Sequence, residues 1–244
     1  MANVIKIKKG LDINLKGKAS DVLLNGGKSD SYAIVPDYYN GIVPKVVAKV
    51  GEKVKAGSVL MIDKNRPEIK FVSPVSGEVT AVNRGEKRKV LSVVVKPEAQ
   101  IEYEDFGKKN VASLKREEVK EAILHAGMWP FIKQRPYDIV AAPLDTPRDI
   151  FVSAFYSAPL APNFDFIVKG QEADFQTGLN ALAKLTNGKV YVGVRSGSVV
   201  SGMKGVEIVE VEGPHPAANV GVQINHIKPV NKGEVVWTVN PADV

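Results

Sequence analysis

Between Ile42 and Val95 the chain runs as short Val-rich alternations of apolar and polar residues punctuated by glycine: VPKVVAKV, GEKVKAG, SVLMI, KFVSPVSG, EVTAV and KVLSVVV. A period of two over about four to seven residues predicts half-buried strands joined by tight turns. Two of these stretches echo each other, AKVGEKVKAG at 48–57 and AVNRGEKRKV at 81–90, which implies a weak internal duplication. Two similar hairpins packed face to face make a small flattened barrel or sandwich.

After Asn110 the period lengthens. VASLKREEVKEAILHAG predicts one amphipathic helix with Ser113 as N-cap, Glu117 and Glu118 in its early turns and Gly127 as its stop. DIVAA (138–142), DIFVSAF (149–155) and FDFIV (164–168) follow as predicted strands, and then QEADFQTGLNALAKLTNGK, with Phe175, Leu179, Leu182 and Leu185 at helical spacing. KVYVGV (189–194) and VEIVEV (206–211) are again strands. Strands alternating with helices predict an α/β layer on a largely parallel sheet. The last stretch, GPHPAANVGVQINHIKPVNKGEVVWTVN, is expected as loop followed by one strand, EVVWTV, and it stops as though further chain belonged after it.

The expected fold is therefore mixed α+β in two modules. Residues 1–30 form an N-terminal segment, 31–110 a β-rich barrel-sandwich hybrid of biotinyl or lipoyl type, 111–212 a Rossmann-like α/β module, and 213–244 a tail leading to a further C-terminal domain. With 244 residues and 44% hydrophobic content, two ordinary cores can be buried.

Charge and composition narrow the chemistry. The net charge is +6 and the pI about 9.3, yet no Lys/Arg block is dense or aromatic enough for a nucleic-acid groove. Cysteine is absent, which excludes disulfides, thiolate zinc sites, cysteine nucleophiles and ordinary iron-sulfur ligation by this chain. The start has no apolar run of signal-peptide length. The most apolar window, 150–168, is interrupted by Pro159, Pro162 and Asp165 and is a poor membrane span.

Three sets of residues invite a chemical role. Lys64, beside Asp63 and ahead of a PVSG turn at 74–77, resembles the modified lysine of a carrier hairpin. The intervening NRPEIKFVS is about two residues too long, and Pro67 is expected inside the returning strand, which moves the lysine off the apex. The histidines, His125, His215 and His226, are scattered and lack a metal-ligand spacing, so no metal site is expected. No Walker, GxGxxG or GxSxG string occurs. Tyr38, Tyr39, Trp129, Phe131 and Tyr137, with Arg135 among them, are the one polar-aromatic set suited to a planar ligand; packing at a domain junction is the competing role.

The strings IKIKKGLDINLKG, KFVSPVSGEVTAVNRGEKRKVLSVVV, LHAGMWPFIKQRP, GLNALAKLTNGKVYVGV, GPHPAANVGVQINHI and GEVVWTVNPADV resemble the A subunit of the bacterial sodium-translocating NADH:quinone oxidoreductases across essentially the whole chain. The resemblance implies a peripheral subunit on the cytoplasmic side of the bacterial inner membrane. Its complex passes electrons from NADH to ubiquinone or menaquinone and exports Na+. Flavins, iron-sulfur centres, NADH and Na+ are then handled by other subunits, chiefly integral membrane partners. The chain itself holds no cofactor or catalytic residue, serves in docking, and offers Tyr38, Tyr39, Trp129, Phe131, Arg135 and Tyr137 as quinone-contact candidates. The same resemblance extends to the C subunit of the Rnf complex and to the flavin-bearing subunit of respiratory complex I, so an NADH- and FMN-binding role of the Rnf C type is the alternative. In those relatives a glycine-rich run wraps the flavin. Here the matching place reads HAGMWPFIKQRP, and APLDTPRD replaces their acidic flavin-contact string.

Overall fold

The computed structural model describes residues 3–17 and 20–244. After β1 (Asn3–Lys6), seven short strands follow: β2 (Tyr32–Ile34), β3 (Pro44–Val46), β4 (Lys53–Val54), β5 (Val59–Asp63), β6 (Lys70–Val72), β7 (Gly77–Arg84) and β8 (Val90–Pro97). Strands β2-β8-β7-β4 make one sheet and β3-β5-β6 a second. Leu60, Val79, Val93 and Val95 are fully buried in their shared core. The alternation read from the sequence thus produces the barrel-sandwich, stapled by the long β7–β8 hairpin. At its base Gly77 is obligatory, because a Cβ there would lie 1.9 Å from the Lys96 carbonyl oxygen.

The second module runs through α1 (Arg116–His125), β9 (Lys133–Arg135), β10 (Ile139–Val140), β11 (Ile150–Ser153), α2 (Phe164–Val168), α3 (Glu172–Leu185), β12 (Val190–Val194), β13 (Glu207–Glu212), α4 (Val220–Ile227) and β14 (Val236–Val239). Its seven-stranded sheet has the order β1-β13-β12-β11-β14-β9-β10. The first five are mutually parallel, and β9 and β10 are antiparallel additions at one edge.

Four expectations change. The FDFIV stretch is not a strand but the short helix α2, because Phe164 and Val168, one helical turn apart, both reach the core while Asp165 accepts from Ser198 Oγ (2.6 Å) and the Val199 amide (3.2 Å). Helix α1 starts after Lys115 rather than Ser113, with Glu118 accepting from the Lys115 amide at 2.7 Å. The first and last segments do not stand outside the α/β module. Residues 3–6 pair in parallel with β13, and all four residues of β14 are buried between β11 and β9. A strand buried on both faces belongs in the middle of a sheet, and the helix that feeds it, α4, hid in a stretch read as loop because GPHPAAN precedes it.

The two modules share one core. Met61, Ile69 and Phe71 from the barrel-sandwich pack with Trp129, Ile132, Val140 and Ala141 from the α/β module. Gly127 permits the approach, since a Cβ there would come within 2.4 Å of Val72 Cγ1, and its φ of +70° suits glycine. Trp129 is fully buried, packs edge-on against Trp237 with ring centroids 5.4 Å apart, and donates from Nε1 to the Ala141 carbonyl at 2.9 Å. Pro67 lies in the turn before β6, not in the strand, and the β5–β6 loop is clamped by Arg66. Its Nε donates to Asp63 Oδ2 (2.7 Å), and its two terminal nitrogens to the Val140 and Gly41 carbonyls (3.2 and 2.9 Å).

At the amino end of β11, Asp149 is fully buried and gathers three elements. Its carboxylate takes Lys228 Nζ at 2.7 Å, Arg148 Nε at 2.8 Å and the Lys189 amide at 3.1 Å. Burial alone would raise this carboxyl, but the contacts with Lys228, Lys189 and Arg148 outweigh it and hold Asp149 below the ordinary 3.8. Because the folded value is depressed, the stabilisation is fully present above the unfolded value and is lost as pH falls through the folded one. Asp149→Ala is expected to destabilise by about 3 to 5 kcal/mol. It should also flatten the acid limb of unfolding free energy against pH below about 4; an unchanged acid limb in denaturant titrations would exclude this role.

Candidate functional site

The parallel strands leave one carboxyl edge, and along it the strand order reverses. From β11 the chain moves by way of α3 to β12 and β13, then returns over β11 through α4 to place β14 on its other side. Such a reversal opens a crevice between adjacent strand ends, the usual ligand position of open α/β sheets. A cleft of about 740 Å³ lies here, at the ends of β11 (Ser153, Phe155, Tyr156) and β14 (Thr238, Val239, Asn240). The first turn of α4 makes one rim, and the β9–β10 ribbon the other, with Phe131, Lys133, Arg135 and Asp138.

The electrostatics of the cleft are balanced. Lys133 and Arg135 are its cationic side chains, and Asp138 and Asp243 its anionic ones, so the lining has no net charge. Arg135 Nη2 lies 3.4 Å from Asp138 Oδ1, while its buried Nε has no hydrogen-bond partner. Burial lowers the Lys133 ammonium, against the pull of Asp138 and Asp243, and burial raises the Asp243 carboxyl, against the pull of Lys133. Tyr156 donates to Asn240 Oδ1 at 3.1 Å; burial raises its hydroxyl, offset in part by that bond.

The six aromatic and cationic residues singled out from sequence are divided by the fold. Phe131 and Arg135 line the cleft. Tyr39 stands behind them: it packs edge-on against Phe131 (6.4 Å) and Phe71 (4.8 Å), with Lys133 Nζ 5.1 Å above its ring. Burial, then Asp243, raises its hydroxyl. Trp129 belongs to the shared core, whereas Tyr38 and Tyr137 are exposed on neighbouring turns. Those turns touch, since the Val140 amide donates to the Asn40 carbonyl at 2.9 Å. Lys133, Asp138, Tyr156, Asn240 and Asp243 were not anticipated, because they come from three stretches that only the sheet order brings together.

The places where relatives of this architecture carry cargo are otherwise engaged. The β5–β6 loop, which would present a carrier lysine, is fastened to the α/β module by Arg66, and the Lys64 amide donates to the Val43 carbonyl at 2.7 Å. The 127–131 corner offers no phosphate cradle: the amides of Gly127, Met128 and Phe131 donate to Leu124, Ile123 and Met128 carbonyls, Pro130 has none, and Trp129 fills the core. Helix α4 does open on the cleft, but a diphosphate there would meet Asp138 and Asp243 as well as the two cations. These residues do not fit a flavin or nicotinamide dinucleotide. Among the described residues, no group of three or more His, Asp or Glu side chains is placed to hold a metal ion. His215 instead holds Ser157 Oγ at 3.0 Å, and its amide donates to Asp12 Oδ1 at 2.8 Å, so the rigid GPHPA string forms a loop contact.

Comparison with known proteins finds two matches in family descriptions. Residues 5–98 match the NqrA N-terminal barrel-sandwich hybrid domain, and residues 114–244 the NqrA second alpha/beta domain. The chain is 38% identical over 246 residues to the A subunit of the Na(+)-translocating NADH-quinone reductase of Hahella chejuensis. It is 36% identical over 245 residues to the same protein of Photorhabdus laumondii, and 37% over 245 to that of Neisseria meningitidis. Each alignment covers 99% of this chain and 55% of the relative, so the chain spans about half the length of the curated relatives it matches. These names support the resemblance to the sodium-translocating reductases and not the Rnf C alternative.

Two outcomes are expected. Intact-mass analysis of protein from its own host should show Lys64 without lipoyl or biotinyl adduct; an added mass on that lysine would contradict the fastened loop. Calorimetric titration with FMN and with NADH should give no micromolar binding, since several charge-assisted hydrogen bonds of about 1.5 to 3 kcal/mol each are missing. A micromolar Kd for either would show that the cleft accepts a diphosphate after all.

Proposed function

This chain belongs to the NqrA family, and from that premise we propose that it is a peripheral subunit of a Na(+)-translocating NADH-quinone reductase whose own contribution is docking and contact with quinone. In this proposal the complex moves electrons from NADH to ubiquinone or menaquinone and exports Na+. The flavins, iron-sulfur centres and ion path lie in other subunits, among them an integral membrane partner that holds this one on the cytoplasmic face of the inner membrane. No helix among the described residues is long and apolar enough to cross a membrane, which fits attachment through a partner.

The observation that carries the quinone assignment is the cleft at the reversal of the strand order, formally neutral and lined by the aromatic rings of Phe131, Phe155 and Tyr156. A quinone head is planar, uncharged and ends in carbonyl acceptors. It needs flat apolar faces and a donor, with no net charge to neutralise. Phe131 and Tyr156 supply faces, and Arg135, whose buried Nε has no partner, supplies a donor. Tyr39 supports Phe131 from behind. Tyr38 and Tyr137, exposed beside the rim, are then placed for the tail or for a neighbouring subunit, and Trp129 acts by holding the 129–135 segment in register.

In the assembled complex, Phe131→Ala and Arg135→Gln are expected to raise the quinone KM by about 10- to 100-fold, the equivalent of one lost charged hydrogen bond or aromatic face. kcat at saturating quinone and the melting temperature of this chain should change little, and Arg135→Lys should recover part of the loss. Unchanged quinone kinetics in both variants would leave these residues with a packing role only.

A further inference from the structure

Strand β11 is buried at all four positions, and Ser153 is its one polar member. Ser153 ends the strand, 7% exposed, in the lining of the cleft. Its hydroxyl is held by Gln223 of α4, a fully buried amide whose Nε2 donates to Ser153 Oγ at 2.9 Å and to the Ala217 carbonyl at 3.0 Å. The neighbouring strand leaves room for that amide: a Cβ on Gly193 of β12 would lie 2.1 Å from Gln223 Oε1. Glycine inside a central strand weakens it and marks a close approach, and here what approaches is Gln223. Three elements, β11, β12 and α4, thus combine to place a neutral amide against one hydroxyl at the cleft.

The protons of this cluster follow from its acceptors. A backbone carbonyl only accepts, so Gln223 must face Ala217 with its nitrogen, and the second hydrogen of the same nitrogen goes to Ser153 Oγ. Ser153 therefore accepts from Gln223, and its own single proton is left for another partner. Among the described residues that partner is the Phe155 carbonyl at 3.4 Å, beyond the roughly 2.5 to 3.0 Å of a good O–H···O bond. An acceptor oxygen standing in the cleft at ordinary distance would take the proton instead. We propose that Ser153 is a ligand-binding donor whose proton Gln223 directs into the cleft, and that the pair selects a quinone carbonyl over the hydroxyl of the reduced quinol. This rests on the quinone reading above and adds to it a preference for the oxidised form. With Arg135 on the β9–β10 rim, the cleft then holds donors on two separate elements, as a planar ligand with two carbonyls requires. The quinol, a weaker acceptor with a proton of its own to place, is held less tightly and leaves.

Gln223→Glu tests the direction of the proton. A carboxyl oxygen at the Nε2 position can give the Ala217 carbonyl at most one proton and has none for Ser153, so Ser153 must donate to it and turn lone pairs to the cleft. In the assembled complex the KM for a short-chain ubiquinone and the product-inhibition constant of its quinol are measured together. The variant is expected to shift their ratio about tenfold in favour of the quinol. The ratio is read within one preparation, so a merely destabilised subunit would leave it unchanged. Ser153→Ala, which removes the donor without placing a carboxyl in the core, should raise the quinone KM by about 3- to 10-fold with little change in kcat or melting temperature. It decides the matter should the Gln223 variant fail to assemble. An unchanged ratio in Gln223→Glu, or an unchanged KM in Ser153→Ala, would overturn this assignment while a raised KM in Phe131→Ala and Arg135→Gln left the quinone reading standing. If all four variants kept wild-type quinone kinetics, the quinone reading would fall and this assignment with it.

Discussion

Arg66 and Gly127 together govern how this protein is put together. Glycine at 127 lets Val72 of the barrel-sandwich reach the end of helix α1, and Arg66 spans from buried Asp63 to backbone carbonyls at 41 and 140. A guanidinium is suited to this because its fork donates to one carboxylate and two backbone carbonyls at once. With that clamp closed, Met61, Ile69 and Phe71 join the core around Trp129. The 129–135 segment is thereby held against the sheet, and Phe131 and Arg135 are delivered to the cleft.

That arrangement suits the architecture to the proposed docking role. The loop that would swing a cofactor in a carrier domain is here the joint between modules, and the corner that would wrap a flavin is filled by Trp129. In both places side chains bury what cargo would have covered. The cleft at the carboxyl edge remains because it follows from strand order alone. Its two cations and two carboxylates cancel, which favours a neutral occupant over a charged one.

A good part of this was legible in the chain. The period-two runs from 42 to 95 specified the barrel-sandwich, since alternating valines leave a strand no other way to bury one face. Phe175, Leu179, Leu182 and Leu185 specified α3 in the same manner, and Met128, Trp129 and Pro130 announced a corner without the glycines that a phosphate cradle needs. Of the polar-aromatic set Tyr38, Tyr39, Trp129, Phe131, Arg135 and Tyr137 read from the sequence, the fold sets Phe131 and Arg135 on the cleft.

What the tertiary structure decided is which distant pieces meet. Nothing local in VIKI or VVWT says that one becomes the edge and the other a central strand of the same sheet, because pairing partners are chosen by long-range burial rather than by propensity. FDFIV is apolar enough for either period, and only the docking of Asp165 onto Ser198 makes it a helix. Lys133, Asp138, Tyr156, Asn240 and Asp243 carry no motif; they form a site because the strand order reverses between β11 and β14 and brings their strand ends to one crevice. Sequence determined the modules and the side chains that fill their would-be cargo sites, whereas the cleft and its charge balance exist only once non-local pairing has placed them.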